Sequence, residues 1–356
     1  YGTSDADKKT LDVPVEEGEK FKGENMHMYR ARLTDLTPGT TYTYKVETED
    51  GQTMDGHFRT LPENSNEIRF VVVSDSHRFE TATKVSDVIA KFDPDFILHT
   101  GDMVEGTGSQ KDQFPYWFQN VGSFLHNVPV IYNSGNHDYG VYFDEYVTKV
   151  QKEQYKSNKT GRNVAFDCGP VHFDMLDSNP WSLFELNSTA GGGEADAATK
   201  AVVNESLDWL KADLATDDAK KADFRVVTMH HPFEDDLTRK YVPSIVENGN
   251  VNIMFSGHTH LYSRYASADP KRGADTLYVT QGDARIGGGK IDTGKPDQRL
   301  DDNYPNLLAT GKGDMLEVTV KDGLMTYKNL GLSGDGEKVF ETVTLSKDGA
   351  KLAYSD

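Results

Sequence analysis

The sequence predicts an α/β fold in which strands and helices alternate, with a smaller all-β segment ahead of it. Three observations carry that expectation. From Ile68 onward, short runs rich in β-branched and aromatic residues are separated by stretches with apolar residues at helical spacing. Five of those runs end in one or two of Asp, Asn and His, at the carboxyl ends of strands, where open sheets bind ligands. The first sixty residues show period-two alternation and Pro-Gly punctuation instead.

In the amino-terminal segment, Met26 to Leu33 alternates, Leu36 to Thr40 turns on Pro38 and Gly39, and Thr41 to Thr48 alternates again. His57 to Pro62 closes the segment with a proline. Too few strands are present for a complete sandwich. Residues 1–62 therefore read as a partial β-sandwich whose earlier strands lie outside this sequence, 63–67 as a linker, and 68–356 as the main domain.

The main domain opens on the apolar run Ile68 to Ser74, which ends in Asp75-Ser-His77. Glu80 to Phe92 puts Val85, Val88, Ile89 and Phe92 on one helical face, and Asp95 to Thr100 is a strand ending in Gly101-Asp102. Gln113 to Leu125 is helical, and Val128 to Asn133 leads into Ser134-Gly135-Asn136-His137-Asp138. Phe224 to Met229 ends in His230-His231-Pro232, and Val251 to Ser256 in Gly257-His258-Thr259-His260.

Carboxylates, imidazoles and one amide oxygen are the donors expected around manganese, iron, zinc or cobalt, and a carboxylate can bridge two ions about 3.5–4 Å apart. Glycines before Asp102, Asn136 and His258 fit a backbone that turns sharply and comes close to such a centre. Successive strand residues face opposite ways, so only one of His230 and His231 reaches it. The residues alone leave that choice open.

Several classes are excluded. A formal net charge of −19 and a pI near 5.0 argue against binding nucleic acid through a basic surface. No apolar run approaches the ~18 residues of a membrane span. The one cysteine, Cys168, forbids an intrachain disulfide and reads as a buried hydrophobe. Hydrophobic residues, at 36%, suffice for a core, so the chain is not disordered. Gly282 to Gly289 lacks the context of a nucleotide-binding loop. Starting at Tyr1 without Met, the chain is expected to begin at a processed or trimmed end.

The ordered set Asp-x-His, Gly-Asp, Gly-Asn-His-Asp, His-His-Pro and Gly-His-Thr-His resembles the calcineurin-like metallophosphoesterases over nearly all of the chain after Ile68. Leu33 to Val46 resembles the later strands of a fibronectin type III-like domain, an order found in purple acid phosphatase-like proteins. The resemblance implies a four-layer α-β-β-α sandwich, with Met315 to Val320, Leu324 to Asn329 and Phe340 to Leu345 adding strands to its second sheet.

It also implies two metal ions, manganese, iron or zinc. The first would be held by Asp75, His77, Asp102 and His260, and the second by Asp102 as bridge, Asn136, His230 and His258. His137 would act on the substrate, with Asp138 hydrogen-bonded to it for orientation. Arg78, Tyr139 and His231 are candidate substrate contacts. Purple acid phosphatases carry a tyrosine four residues after the glycine of Gly-Asp and lack the histidine of Asp-x-His. This chain has Glu105 and His77 at those places, the broader calcineurin-like pattern.

The implied activity is hydrolysis of small phosphate monoesters by a metal-bridging hydroxide. Phosphodiester hydrolysis is the alternative, and a non-catalytic binding module a third reading. Family company implies a periplasmic or extracellular location.

Overall fold

The computed structural model describes residues 1–16, 28–77, 82–180, 197–266, 276–282, 284, 307–311, 314–333, 336–347 and 353–355. Its centre is a pair of mixed sheets packed face to face. The first contains β5 (Glu67–Val73), β6 (Phe96–His99), β7 (Val130–Tyr132), β16 (Met315–Lys321), β17 (Leu324–Ser333), β18 (Gly336–Ser346) and β19 (Ala353–Ser355), in the order β19-β18-β17-β16-β5-β6-β7. The second contains β8 (Lys156–Ser157), β9 (Val164–Cys168), β10 (Val171–Leu176), β11 (Phe224–Met229), β12 (Ile253–Ser256), β13 (Tyr262–Ala266), β14 (Leu277–Thr280) and β15 (Leu307–Gly311), in the order β15-β13-β14-β12-β11-β10-β9-β8.

Strand periodicity decides which residues meet between the sheets. Ile68, Phe70 and Val72 of β5 face inward and join Phe173, Val226, Ile253 and Phe255 of the other sheet in one apolar cluster, with Phe70 stacked on Phe96 at 5.3 Å. Val71 and Val73 point the other way, against Val85 and Ile89 of helix Ala82–Phe92 and Trp117 and Val121 of helix Gln113–Leu125. Val227 and Met254 of the second sheet pack outward on Leu207 and Leu210 of helix Ala197–Leu214 and on Val246 of helix Pro243–Asn248. The layers are thus helix, sheet, sheet, helix, as expected.

One detail differs. The carboxy-terminal strands extend the sheet of the first motif, because β16 pairs antiparallel with β5, Val318 opposite Phe70. The second sheet is built from β8 to β15 and carries the fourth and fifth motifs. Cys168 is fully buried in the inter-sheet core, as read.

Ahead of the main domain, β1 (Val15–Glu16) pairs with β2 (Met28–Tyr29), and β3 (Thr41–Glu47) with β4 (Thr53–Arg59). These two small sheets fall short of a sandwich among the described residues. The β3–β4 hairpin is tied to the main domain by Tyr44, whose hydroxyl donates to the His126 carbonyl at 2.8 Å, and by Arg59 paired with Asp95 at 3.1 Å. No helix among the described residues is long and apolar enough to cross a membrane.

Candidate metal centre

The parallel strands β5, β6 and β7 run side by side, as do β10, β11, β12 and β14, so their carboxyl ends gather along one edge of the two sheets. The loops leaving that edge curl over it. Asp75, His77, Asp102, His258 and His260 all have positive φ, from 46° to 77°, a left-handed conformation that non-glycine residues adopt at a cost. Backbone hydrogen bonds fix the curl: Asp75 N–H donates to Gly101 O and His77 N–H to Asp102 O, both at 3.0 Å, and Gly257 N–H to His230 O at 2.9 Å.

Glycine is required at two of these turns. Gly101 has φ of 107°, and a Cβ there would lie 2.6 Å from His230 Nδ1. A Cβ on Gly135 would lie 2.2 Å from the Asp102 backbone nitrogen.

The side chains form overlapping donor groups. Asp75, His77 and His260 make one, His77, Asp102 and His137 a second, and Asp102, His230 and His258 a third, the ligand atoms of each within 4.8 Å of one another. Asn136 joins the last, its Oδ1 3.1 Å from His230 Nε2. Asp102 belongs to two groups, where a bridging carboxylate would stand.

The donor chemistry fits cations. His230 Nδ1 donates to Thr100 O at 2.9 Å, which leaves the lone pair of a neutral ring on Nε2, 3.4 Å from Asp102 Oδ2. His77 Nδ1 lies 3.2 Å from Val104 O, and its Nε2 faces His260 Nε2 at 3.3 Å. Asp75 is fully buried, and its Oδ1, 3.4 Å from His260 Nε2, accepts no hydrogen bond among the described residues. Acceptors that converge on one another at such distances call for a positive charge between them.

Asp75 Oδ2 accepts from Ser74 Oγ at 2.6 Å and from the His258 backbone N–H at 2.8 Å. Those two bonds orient the carboxylate.

His137 is, with His260, one of the two most open members, 36% exposed, with Nε2 4.0 Å from Asp102 Oδ2. Its Nδ1 donates to the Glu105 and Gly106 carbonyls at 2.8 and 3.0 Å. Asp138, expected to orient it, does not. The Asp138 carboxylate is fully buried and accepts backbone N–H groups of Met103, Val104 and Gly135 at 2.9, 3.2 and 3.0 Å, so its capacity goes to tying the second loop to the third. Burial pushes that carboxyl up to about 7.

Of the expected substrate contacts, Arg78 lies outside the described residues. His231 is only 1% exposed. Its Nδ1 accepts from Ser178 Oγ at 2.7 Å, and its ring packs on His258 at 4.6 Å, so it backs the donors and does not line the cleft. Tyr139 is half-buried under the Arg162 guanidinium at 4.3 Å. Arg162 is in turn paired with Asp144 at 2.9 Å and Asp177 at 3.6 Å. Glu105 sits at the rim, 47% exposed, with Oε2 3.6 Å from His77 Nδ1.

Sequence reasoning missed Ser178 and Asn179, whose amide Nδ2 donates to Ser134 O at 3.1 Å. The signal was present. Val171 to Leu176 is a sixth strand, alternating apolar and polar, that ends in polar residues, Asp177-Ser-Asn179.

A model of the calcineurin-like phosphoesterase family matches residues 68–262, more than half of the chain. Purple acid phosphatase 21 of Arabidopsis thaliana is 26% identical over 282 residues, covering 72% of this chain and 58% of its own length. The chain spans 49% to 59% of the curated plant relatives it matches first. Among solved structures, a purple acid phosphatase from yellow lupin (Lupinus luteus) superposes with a TM-score of 0.62 at 18% identity, over 88% of this chain and 60% of its own. PhoD gives 0.64 at 14%, over 93% and 79%. These two likenesses show the fold. With all five motifs inside the span that the family model matches, the chain belongs to the calcineurin-like phosphoesterase family.

Proposed function

We propose that the chain is a binuclear metal-dependent phosphomonoesterase acting on small phosphorylated substrates. The observation that carries this reading is the sharing of Asp102 between two donor groups at one sheet edge. Asp75, His77, Asp102 and His260 would hold one ion, and Asp102, Asn136, His230 and His258 the other, each of manganese, iron or zinc. Bound there, the ions supply the positive charge that lowers the pKa of water and neutralises phosphoryl oxygens.

The protein's own groups do the rest. Thr100 O, Val104 O and Ser74 Oγ hold the imidazoles and the carboxylate in place before substrate arrives. His137, with Nδ1 bound to two carbonyls, keeps Nε2 free to give a proton to the leaving oxygen or to offset charge on the phosphoryl group. The net charge of −19 does not oppose an anionic substrate, since local cations dominate the field at the site. Likeness to purple acid phosphatases supports the monoester preference and a periplasmic or extracellular location. Residues 1–62 would form a structural β segment resembling fibronectin type III strands.

The test is hydrolysis of p-nitrophenyl phosphate and bis-p-nitrophenyl phosphate with metal content measured on the same sample, for the wild type and His137→Ala. The variant should keep its metals and lose about 10²–10⁴-fold in kcat. Full activity in the variant would overturn the role of His137. Faster diester than monoester turnover would move the assignment to a phosphodiesterase.

A further inference from the structure

A second imidazole and carboxylate cluster lies away from the strand ends and shares no residue with them. His172 and Asp174 are two apart on β10, so both leave the same face of the sheet. That face is covered by helix Ala197–Leu214, against which Leu176 of the same parity packs. Asp213, in the last turn of the helix, reaches back to the pair. His172 Nε2 lies 3.1 Å from Asp213 Oδ2 and 3.5 Å from Asp174 Oδ2. On its other side, Nδ1 lies 2.8 Å from Asp167 Oδ1.

All three of His172, Asp174 and Asp213 are buried, at 3%, 0% and 2% exposure, and their donor atoms lie within 4.8 Å of one another. Among the described residues, neither oxygen of Asp174 accepts a hydrogen bond. A fully buried carboxylate in that condition is costly unless a charge compensates it.

The charges within reach decide what is missing. Among the described residues, three carboxylates, those of Asp167, Asp174 and Asp213, face two positive groups, the His172 ring and Lys156, whose ammonium pairs with Asp213. Protonating His172 therefore still leaves one negative charge in excess. A divalent ion beside a neutral His172 brings the sum to zero.

The imidazole is already arranged for that. A ring whose Nδ1–H is given to a carboxylate presents Nε2 as a ligand, the usual support for a metal-binding histidine. Lys156 and Asp167, 57% and 55% exposed, form a rim open to solvent through which a small ion can enter. We infer that His172 Nε2, Asp174 and Asp213 form a separate site for one first-row divalent cation such as Zn²⁺, with Asp167 positioning the imidazole from behind. One imidazole with two carboxylates suits such an ion. The site lies between sheet and helix, with no room for a substrate, so its role is to pin helix Ala197–Leu214 to β10.

Crystals of the full chain grown with millimolar ZnCl₂, measured at the zinc edge, test this directly. The expected result is an anomalous peak ~2.0–2.1 Å from His172 Nε2 and ~2.0–2.2 Å from carboxylate oxygens of Asp174 and Asp213. Zinc at the strand-end centre with none at His172 would overturn the proposal and leave an imidazolium clamped by carboxylates. In solution, Asp174→Asn should bind one zinc fewer per chain than wild type, with that site at least ~10-fold weaker and p-nitrophenyl phosphate turnover unchanged. Equal zinc content in the two proteins would also overturn it. The crystal measurement needs no variant, so it decides the matter even where Asp174→Asn does not fold.

Discussion

Two clusters of the same residue types sit in this chain under opposite backbone regimes. At the strand ends, five donor residues take positive φ, and loop-to-loop backbone hydrogen bonds hold Asp75, His77 and Asp102 there. On β10, His172 and Asp174 stand in an ordinary antiparallel ladder opposite Asp167 and Ala165, and neither has a positive φ. The contrast has a physical cause. A centre that must stay open on one side to a phosphoryl group needs backbone curled around it, and strained residues of order 1–3 kcal/mol each are what that curvature costs. A closed cluster can be made from two in-register side chains and one helix residue, with no strain.

The largest effect expected at either cluster is that of Asp102. Asp102→Ala should bring phosphate ester turnover down to background and lower the bound metal by at least one equivalent, because both donor groups lose a member. The matched change at the other cluster, Asp213→Asn, should leave turnover of p-nitrophenyl phosphate intact. Turnover surviving Asp102→Ala would mean that the strand-end cluster is not the reaction centre.

A smaller effect separates strain from contact. A Cβ at Gly135 would press on the Asp102 backbone at 2.2 Å, which no side-chain motion relieves. Gly135→Ala should cost about 1–3 kcal/mol by urea unfolding, and kcat should fall because Asn136 and Asp102 are displaced together. Gly51→Ala is the control. Its φ of 83° is also left-handed, but nothing lies within 4 Å of the new Cβ, so backbone strain of about 1–2 kcal/mol should appear with kcat unchanged. Equal kcat in both variants would show that the strand-end geometry tolerates movement at Asn136.

The same contrast explains what could be read from sequence. The strand-end donors are announced by apolar runs that stop at Gly-Asp, Gly-Asn-His or Gly-His, since close backbone approach forces glycine and strand ends force adjacency in sequence. Helix Gln113–Leu125 and strand Phe224–Met229 likewise follow their apolar patterns to the residue. His172 and Asp174 give no such notice, because Val-His-Phe-Asp-Met looks like a strand with one wet face. Asp213, about forty residues on, meets them only through the packing of a helix. The role expected of Asp138 failed for a related reason. Adjacency to His137 in sequence suggested a side-chain bond, whereas the tight turn sends the carboxylate inward to three backbone N–H groups. The placement of β16 to β18 depended on which sheet edge was free, and strand sequences do not encode that.

Two buried histidines sharpen the comparison last, through their opposite response to pH. His99, behind the strand ends, donates from Nε2 to Ser76 Oγ at 2.7 Å and accepts Gly101 N–H on Nδ1 at 3.2 Å. Burial lowers it from 6.5 to about 3. Burial also opposes charge on His172, but hydrogen bonds to Asp167, Asp174 and Asp213 outweigh it and lift the ring from 6.5 to about 11. The signs of the stability effects follow. Below pH 6.5 the unfolded chain protonates His99 while the folded chain does not, so stability falls with acidification down to about pH 3. For metal-free protein, the folded chain keeps the His172 proton that the unfolded chain gives up, so that contribution is full below pH 6.5 and is lost as the pH rises toward about 11. Each arm has a limiting slope of about 1.4 kcal/mol per pH unit. Urea unfolding across pH should therefore show a shallower acid arm in His99→Gln and a shallower alkaline arm in metal-free His172→Gln, each against wild type. Zinc added to wild type should flatten the alkaline arm as well, because an ion on Nε2 displaces the proton. An alkaline arm unmoved by His172→Gln would mean that its three carboxylates do not hold a charged ring, and the two histidines would then be alike.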